Sequence, residues 1–192
     1  REITHKAGYK SHKIIDLNFS SLAELKKQAG TYQCNIDDIH FEGVEFSGRD
    51  ISRGVKIPKE IDELVAEESG WHAGDGSLYT NAKNSYVYCM AGDKNEERDF
   101  YDYVSMSFKK IYNFEAEPQE VAGGKGYGVH ISSKAIYTYK KNYLGFNAGE
   151  KADIVEIPTK IMNSEEESIK LAFVRGLADT DFTITFDKKH AQ

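Results

Sequence analysis

The chain has 192 residues, enough for one domain or a domain and a half, and its 40% hydrophobic and 12% aromatic content can bury a core and rules out a disordered chain. No run approaches the roughly 18 apolar residues of a membrane span and no signal-peptide pattern opens the sequence, so no membrane association is expected. The formal charge of −6, from 25 basic and 31 acidic residues, counts against a nucleic-acid binder, which uses clustered lysine and arginine to displace counterions from phosphates.

That charge is uneven. Residues 1–14 carry Arg1, Lys6, Lys10 and Lys13 against Glu2, while acidic residues gather in helix-like stretches (60–68, 115–120, 165–167) that can face away from a ligand. Two cysteines, Cys34 and Cys89, give neither metal-ligand spacing nor a disulfide framework, which points to a reducing, cytoplasmic setting. The chain opens on Arg1 rather than methionine, as a fragment or processed product does.

In chain order, the first 15 residues read as irregular. Ser21 and Glu24 have capping-box spacing and begin a short helix that ends at Gly30. Residues 31–54 read as loops with short strands, and 1–54 as an N-terminal subdomain or extension. After Pro58, Ile61, Leu64 and Val65 start a helix over 61–74 that carries a stripe of small residues, Ala66, Ser69, Gly70, Ala73 and Gly74.

Residues 77–81 and 85–90 alternate as a β-hairpin. Phe100, Tyr103, Val104, Phe108, Ile111 and Tyr112 form a helical stripe. A second hairpin, 117–122 and 127–131, turns at 123–126; its glycines lack the signature of a phosphate-binding loop. Ser132 or Ser133 then caps a helix bearing Ile136, Tyr139, Tyr143 and Leu144. The unit over 55–145 is therefore αββαββα. Residues 146–164 link it to a last helix over 166–180, capped by Ser164 with Glu167 and starting an incomplete second unit, 165–192.

Two stretches carry chemistry: Glu68-Ser-Gly-Trp-His-Ala-Gly-Asp-Gly76 and Val174-Arg-Gly-Leu-Ala-Asp-Thr-Asp-Phe182. Each reads as the end of a helix closing on an aspartate, Asp75 or Asp181, with glycine five residues earlier and a β-like run after it. Small residues let two helices approach closely, which brings the two aspartates together at the negative ends of both helix dipoles. Such a pair repels unless a cation lies between, and a divalent metal is the natural occupant. For Asp75 alone, a turn aspartate bonding its own backbone is the plainer reading.

These stretches resemble the two signature motifs of the LAGLIDADG homing endonucleases, and the likeness runs from Val55 to Phe186, including Ser85-Tyr-Val-Tyr-Cys-Met90, 126–137 and the linker-like 157–164 of single-chain, archaeal-type members. The resemblance implies an α+β fold, with a four-stranded antiparallel sheet in the αββαββα unit and a C-terminal interface helix. It implies a site-specific double-stranded DNA endonuclease, intein- or intron-associated, that hydrolyses phosphodiesters with Mg2+ or Mn2+ at Asp75 and Asp181.

By the same resemblance Lys94 acts catalytically beside the metals, and Tyr79, Asn81, Lys83, Tyr86, Tyr88, Lys125 and His130 contact DNA. Asp179 matches a family variant, although a solvated or capping carboxylate is the plainer reading. His72 is read as a helix-interface or surface residue. Three features depart from the pattern: the acidic charge, Phe182 where the family has glycine, and only residues 182–192 after the second motif. They point to a cut chain or to a partner supplying the other half, such as a second copy. They also keep open a non-catalytic DNA-binding or regulatory protein on this scaffold, or an interaction domain.

Overall fold

The computed structural model describes residues 2–3, 6–7, 10–11, 15–16, 43–82, 85–121, 124, 126–149 and 157–181. The helix expected over 21–30 lies outside them. In the N-terminal stretch two short antiparallel ladders form, β1 (Glu2–Ile3) with β4 (Ile15–Asp16) and β2 (Lys6–Ala7) with β3 (Lys10–Ser11). Two-residue strands are too short to show alternation, so the sequence reads as irregular there.

The fold is α+β. Its sheet is four-stranded and antiparallel, in the order β5-β6-β8-β7, with β5 Gly76–Thr80, β6 Tyr86–Gly92, β7 Gln119–Val121 and β8 Gly126–Ser132. The register sets Leu78 opposite Tyr88 and Tyr88 opposite Ile131. Strand side chains alternate between faces. One parity (Leu78, Tyr88, Met90, Val129, Ile131) therefore enters the main core, and the other puts Ser77, Tyr79, Cys89 and His130 on the open face.

Among the described residues six α-helices accompany the sheet, and two of them were not expected: α1 (Gly48–Arg53) and a short helix over Thr159–Met162, inside the stretch read as a linker. Ser47 and Asp50 build a reciprocal capping box at the start of α1, and Gly54 closes it in the left-handed region at φ 68°. Asp50 is fully buried, and its Oδ2 also accepts the backbone N–H groups of Lys134 (3.1 Å) and Ala135 (3.2 Å), so one carboxylate caps two helices. Val44 and Phe46 enter the main core, and Lys134 pairs with Glu45 at 2.6 Å. Residues 43–54, expected to belong with the N-terminal extension, thus share the core of the αββαββα unit.

The remaining helices are α2 (Glu63–Gly74), α3 (Arg98–Tyr112), α4 (Lys134–Thr138), which runs on into a π-helical segment Tyr139–Leu144, α5 (Thr159–Met162) and α6 (Glu167–Asp181). In α3 the inward stripe is Tyr101, Val104, Phe108, Ile111 and Tyr112; Tyr103, expected inside, is 41% exposed. None of the described helices is long and apolar enough to cross a membrane.

Helix α2 is capped by Asp62, whose side chain accepts the Val65 N–H at 2.8 Å. Every residue from Val65 to Gly74 is buried. A helix apolar or small on all sides must be covered on all sides. Here the sheet core covers one side through Val65 and Trp71, while Ala66 and Ala73 join Ile169, Ala172 and Phe173 of α6 on the other.

Candidate functional site

Glycines set how close α2 and α6 lie. A β-carbon on Gly70 would meet the Phe173 carbonyl oxygen and stand 2.7 Å from the Leu177 nitrogen; one on Gly176 would meet the Glu67 carbonyl, 2.9 Å from its carbon. These are backbone-to-backbone contacts that no other residue type permits. One turn on, a β-carbon on Gly74 would lie 2.8 Å from the Thr180 β-carbon and 3.5 Å from the Asp181 carboxyl carbon. Partners advance together along both chains, so the helices run parallel, and Asp75, which follows Gly74 as the α2 C-cap, ends beside Asp181, the last residue of α6. Both negative dipole ends point the same way.

Two side-chain links fix the rotation of the pair. Arg175 donates to Glu67 Oε2 at 2.5 Å. The indole N–H of Trp71 reaches Asp179 Oδ2 at 3.4 Å, so Asp179 has an interhelical partner. Asp75 is half-buried and Asp181 exposed. Among the described residues no group of three or more histidine, cysteine, aspartate or glutamate side chains is placed to hold a metal, so any cation here would rest on these two carboxylates and on outside ligands.

The other expected site residues divide. Lys94 follows β6 at the sheet end where Asp75 enters β5, and its ammonium is 3.6 Å from Glu120 of β7. Tyr79 and His130 meet on the open face, hydroxyl to Nε2 at 3.0 Å. Burial, and then the neighbouring Cys89, push the Tyr79 hydroxyl above its ordinary pKa. Asn81 turns its side-chain oxygen back to the Ser85 N–H at 3.0 Å and closes the hairpin. Lys83 and Lys125 lie outside the described residues, as does Phe182.

Two tyrosines are corrected. Tyr88 is completely buried, stacked on His72 and packed against Phe108, and cannot touch DNA. Tyr86 has the same parity and lies half-buried against Tyr137, with Lys134 over its ring. Alternation separates two faces but does not say which one the helices cover; the apolar partners Leu78 and Ile131 decide it. His72 is held inside between Tyr88 and Phe146.

A polar network at the core escapes the sequence reading. Glu68 of α2 is fully buried and accepts from the Lys140 ammonium and, at 2.9 Å, from the Tyr112 hydroxyl. Burial pulls Lys140 below the ordinary lysine pKa, more than the Glu68 charge raises it. Burial, then Glu68, raise the hydroxyls of Tyr88 and Tyr112 well above theirs. The one local signal is an acid inside a helix whose other faces are small or apolar.

No protein-family model matches this chain, and no curated protein does. Among solved structures it is similar to the crystal structure of a double variant of I-DmoI in complex with its target DNA, nicked in the coding strand, in the presence of 2 mM Mn. Identity is 19% and the TM-score 0.44, over 64% of this chain. The match spans 63% of the I-DmoI chain.

Proposed function

We propose that this chain is the DNA-binding and metal-holding half of a LAGLIDADG-type endonuclease that hydrolyses phosphodiester bonds in double-stranded DNA. The observation that supports this reading is the side-by-side ending of α2 and α6, which sets two carboxylates at two negative helix ends. Hard carboxylate oxygens suit Mg2+ or Mn2+, which take one or two such ligands and fill the rest with water and substrate phosphate. Asp75 and Asp181 would hold the cation. When bound, it supplies a more acidic water and charge neutralisation at the phosphate. Lys94, at the same end of the sheet, would approach the phosphate on leaving Glu120, and Tyr79 and His130 would face the groove. The outward side of α6, with Leu171 59% and Val174 45% exposed, would meet the second half of the saddle, from a second copy or from further chain.

The alternative is a DNA-binding protein without cleavage, in keeping with the formal charge of −6; in either reading the phosphate contacts would come from outside the strands, since no lysine or arginine stands among the described residues of β5–β8. A Mn2+ titration followed by thermal unfolding tests the metal site. Mn2+ at a hundred times its Kd should stabilise the chain by about 2.7 kcal/mol, and Asp75→Asn and Asp181→Asn should each remove most of that gain. A chain equally stabilised with both aspartates replaced has no such site. A protein that binds duplex DNA and Mn2+ yet never cuts its target supports the alternative.

A further inference from the structure

Strand β6 lies between β5 and β8, and on the open face a side-chain bond crosses it. Tyr79 of β5 is the register partner of Val87, and His130 of β8 is the register partner of Cys89, two residues further along β6. The Tyr79 hydroxyl reaches diagonally over β6 to His130 Nε2 at 3.0 Å, with the two rings 6.3 Å apart and inclined at 63°. His130 is exposed and Tyr79 half-buried, so the pair stands at the surface.

Three titratable groups share this part of the face. Burial, and then Cys89, raise the Tyr79 hydroxyl above its ordinary pKa, and burial raises the Cys89 thiol. Both therefore keep their protons between roughly pH 5 and 8, the range in which histidine gains its charge. Other charges near the pair's strands are already engaged. At the end of β8 Arg53 donates to the Ser132 carbonyl at 3.3 Å, and Lys134 is paired with Glu45 at 2.6 Å. From β7, Glu120 stands opposite Tyr127, on the other parity from His130, with Lys94 at 3.6 Å. Among the described residues of β5–β8, His130 is the only side chain that can become a cation.

Protonation also reverses the bond. A neutral imidazole can accept the Tyr79 O–H at Nε2, whereas an imidazolium can only donate there. The Tyr79 oxygen then accepts, and its own hydrogen turns to another acceptor. Proton uptake thus gives the face one positive charge and two donors, the Tyr79 O–H and the His130 Nδ1–H. The major groove meets such donors with the N7 of both purines and the O6 of guanine.

We propose that His130 couples the DNA affinity of this sheet to pH: binding of duplex DNA takes up a proton at the Tyr79–His130 pair. This rests on the function proposed above. The linkage has one sign. The DNA-bound pair holds its proton more tightly than the free pair, so affinity rises as pH falls.

The experiment measures binding of the whole chain to a fluorescein-labelled, mixed-sequence DNA duplex at fixed salt, from about pH 8 down to about pH 5.5, for wild type, His130→Gln and Tyr79→Phe. The wild-type gain over that range should exceed the His130→Gln gain roughly tenfold, the worth of one charge-assisted hydrogen bond. The comparison cancels what the other histidines contribute. Tyr79→Phe keeps the imidazole and should retain most of the gain; its loss there would assign the effect to packing of the face and overturn the proposal. Equal gains in wild type and His130→Gln would overturn it too, and leave DNA binding standing. Calorimetry of wild-type binding near pH 6.5, in two buffers of different ionisation heat, counts the protons whether or not the variants fold. Proton uptake supports the coupling, and none overturns it. If wild type binds no duplex at any pH in the range, the coupling and the function proposed above fall together.

Discussion

Replacing Gly176 by alanine sets two effects of opposite sign against each other. An alanine in a helix is about 1 kcal/mol more favourable than a glycine, so propensity alone makes Gly176→Ala stabilising. The new β-carbon, however, would stand 2.9 Å from the Glu67 carbonyl carbon and 3.2 Å from its α-carbon, where carbon contacts are comfortable at about 3.5–4.0 Å. The obstacle is backbone, which has no rotamer to change. The helices must separate by about 0.5–1 Å, which forfeits a quarter to a half of each dispersion contact between them. Overpacking of this kind costs about 1–3 kcal/mol, and separation loosens the cluster of Ala66, Ala73, Ala172 and Phe173 besides. With the propensity gain of about 1 kcal/mol set against that cost, we expect a net loss of up to about 2 kcal/mol, read as a melting temperature lower by up to about 8 °C. The chain's single tryptophan, Trp71, is fully buried and bonded to Asp179 across the interface, so its emission reports the separation directly during urea unfolding. A Gly176→Ala chain more stable by about 1 kcal/mol, with unchanged emission, would refute the close approach of α2 and α6 and with it the pairing of Asp75 and Asp181.

Lys140→Met should cost about 3–5 kcal/mol, because it leaves the buried Glu68 without its counter-charge, whereas adding Glu68→Leu should recover most of the loss. Additive single and double losses in a urea mutant cycle would show that the pair is not coupled. The tyrosines 88, 101, 112 and 139 all have hydroxyls raised above the ordinary 10.0 chiefly by burial. Their folded pKa exceeds the unfolded one, so their contribution is complete below pH 10.0 and is lost as pH rises beyond it; Lys140, shifted down, opposes this with one proton against four. Urea midpoints that stay level from pH 9 to about 11.5 would contradict that sum.

What the sequence discloses here is whatever is local and periodic. The stripe of Gly70, Ala73 and Gly74 announces a helix built for close contact, and Gly176 does the same for α6, so the meeting of the two helix ends can be anticipated. The hairpins follow from alternation and their glycine and asparagine turns. Other features depend on partners far along the chain. Asp50 caps a helix that begins at Lys134, and Glu68 meets Lys140 across 72 positions; neither leaves a periodic trace. Strand parity left Tyr86 and Tyr88 free to face either way until the cross-strand register was known. In α3 the pair Tyr101 and Tyr103 both fit a stripe through Val104, and the packed structure buries Tyr101 while Tyr103 lies 41% exposed, edge-on to Trp71 at 5.4 Å.

The unbroken burial of α2 from Val65 to Gly74 has a consequence for cooperativity. Solvent reaches the amide hydrogens of an internal helix only when a whole neighbouring layer departs, because no face of it can fray alone. The slowest-exchanging amides of the molecule should therefore lie in this helix, at a rate set by the free energy of detaching α6 or of opening the sheet core, whichever is smaller. The helix that ends at Asp75 is in this sense the clamp between two layers, and the weaker of those layers fixes how long the end of the helix stays in place.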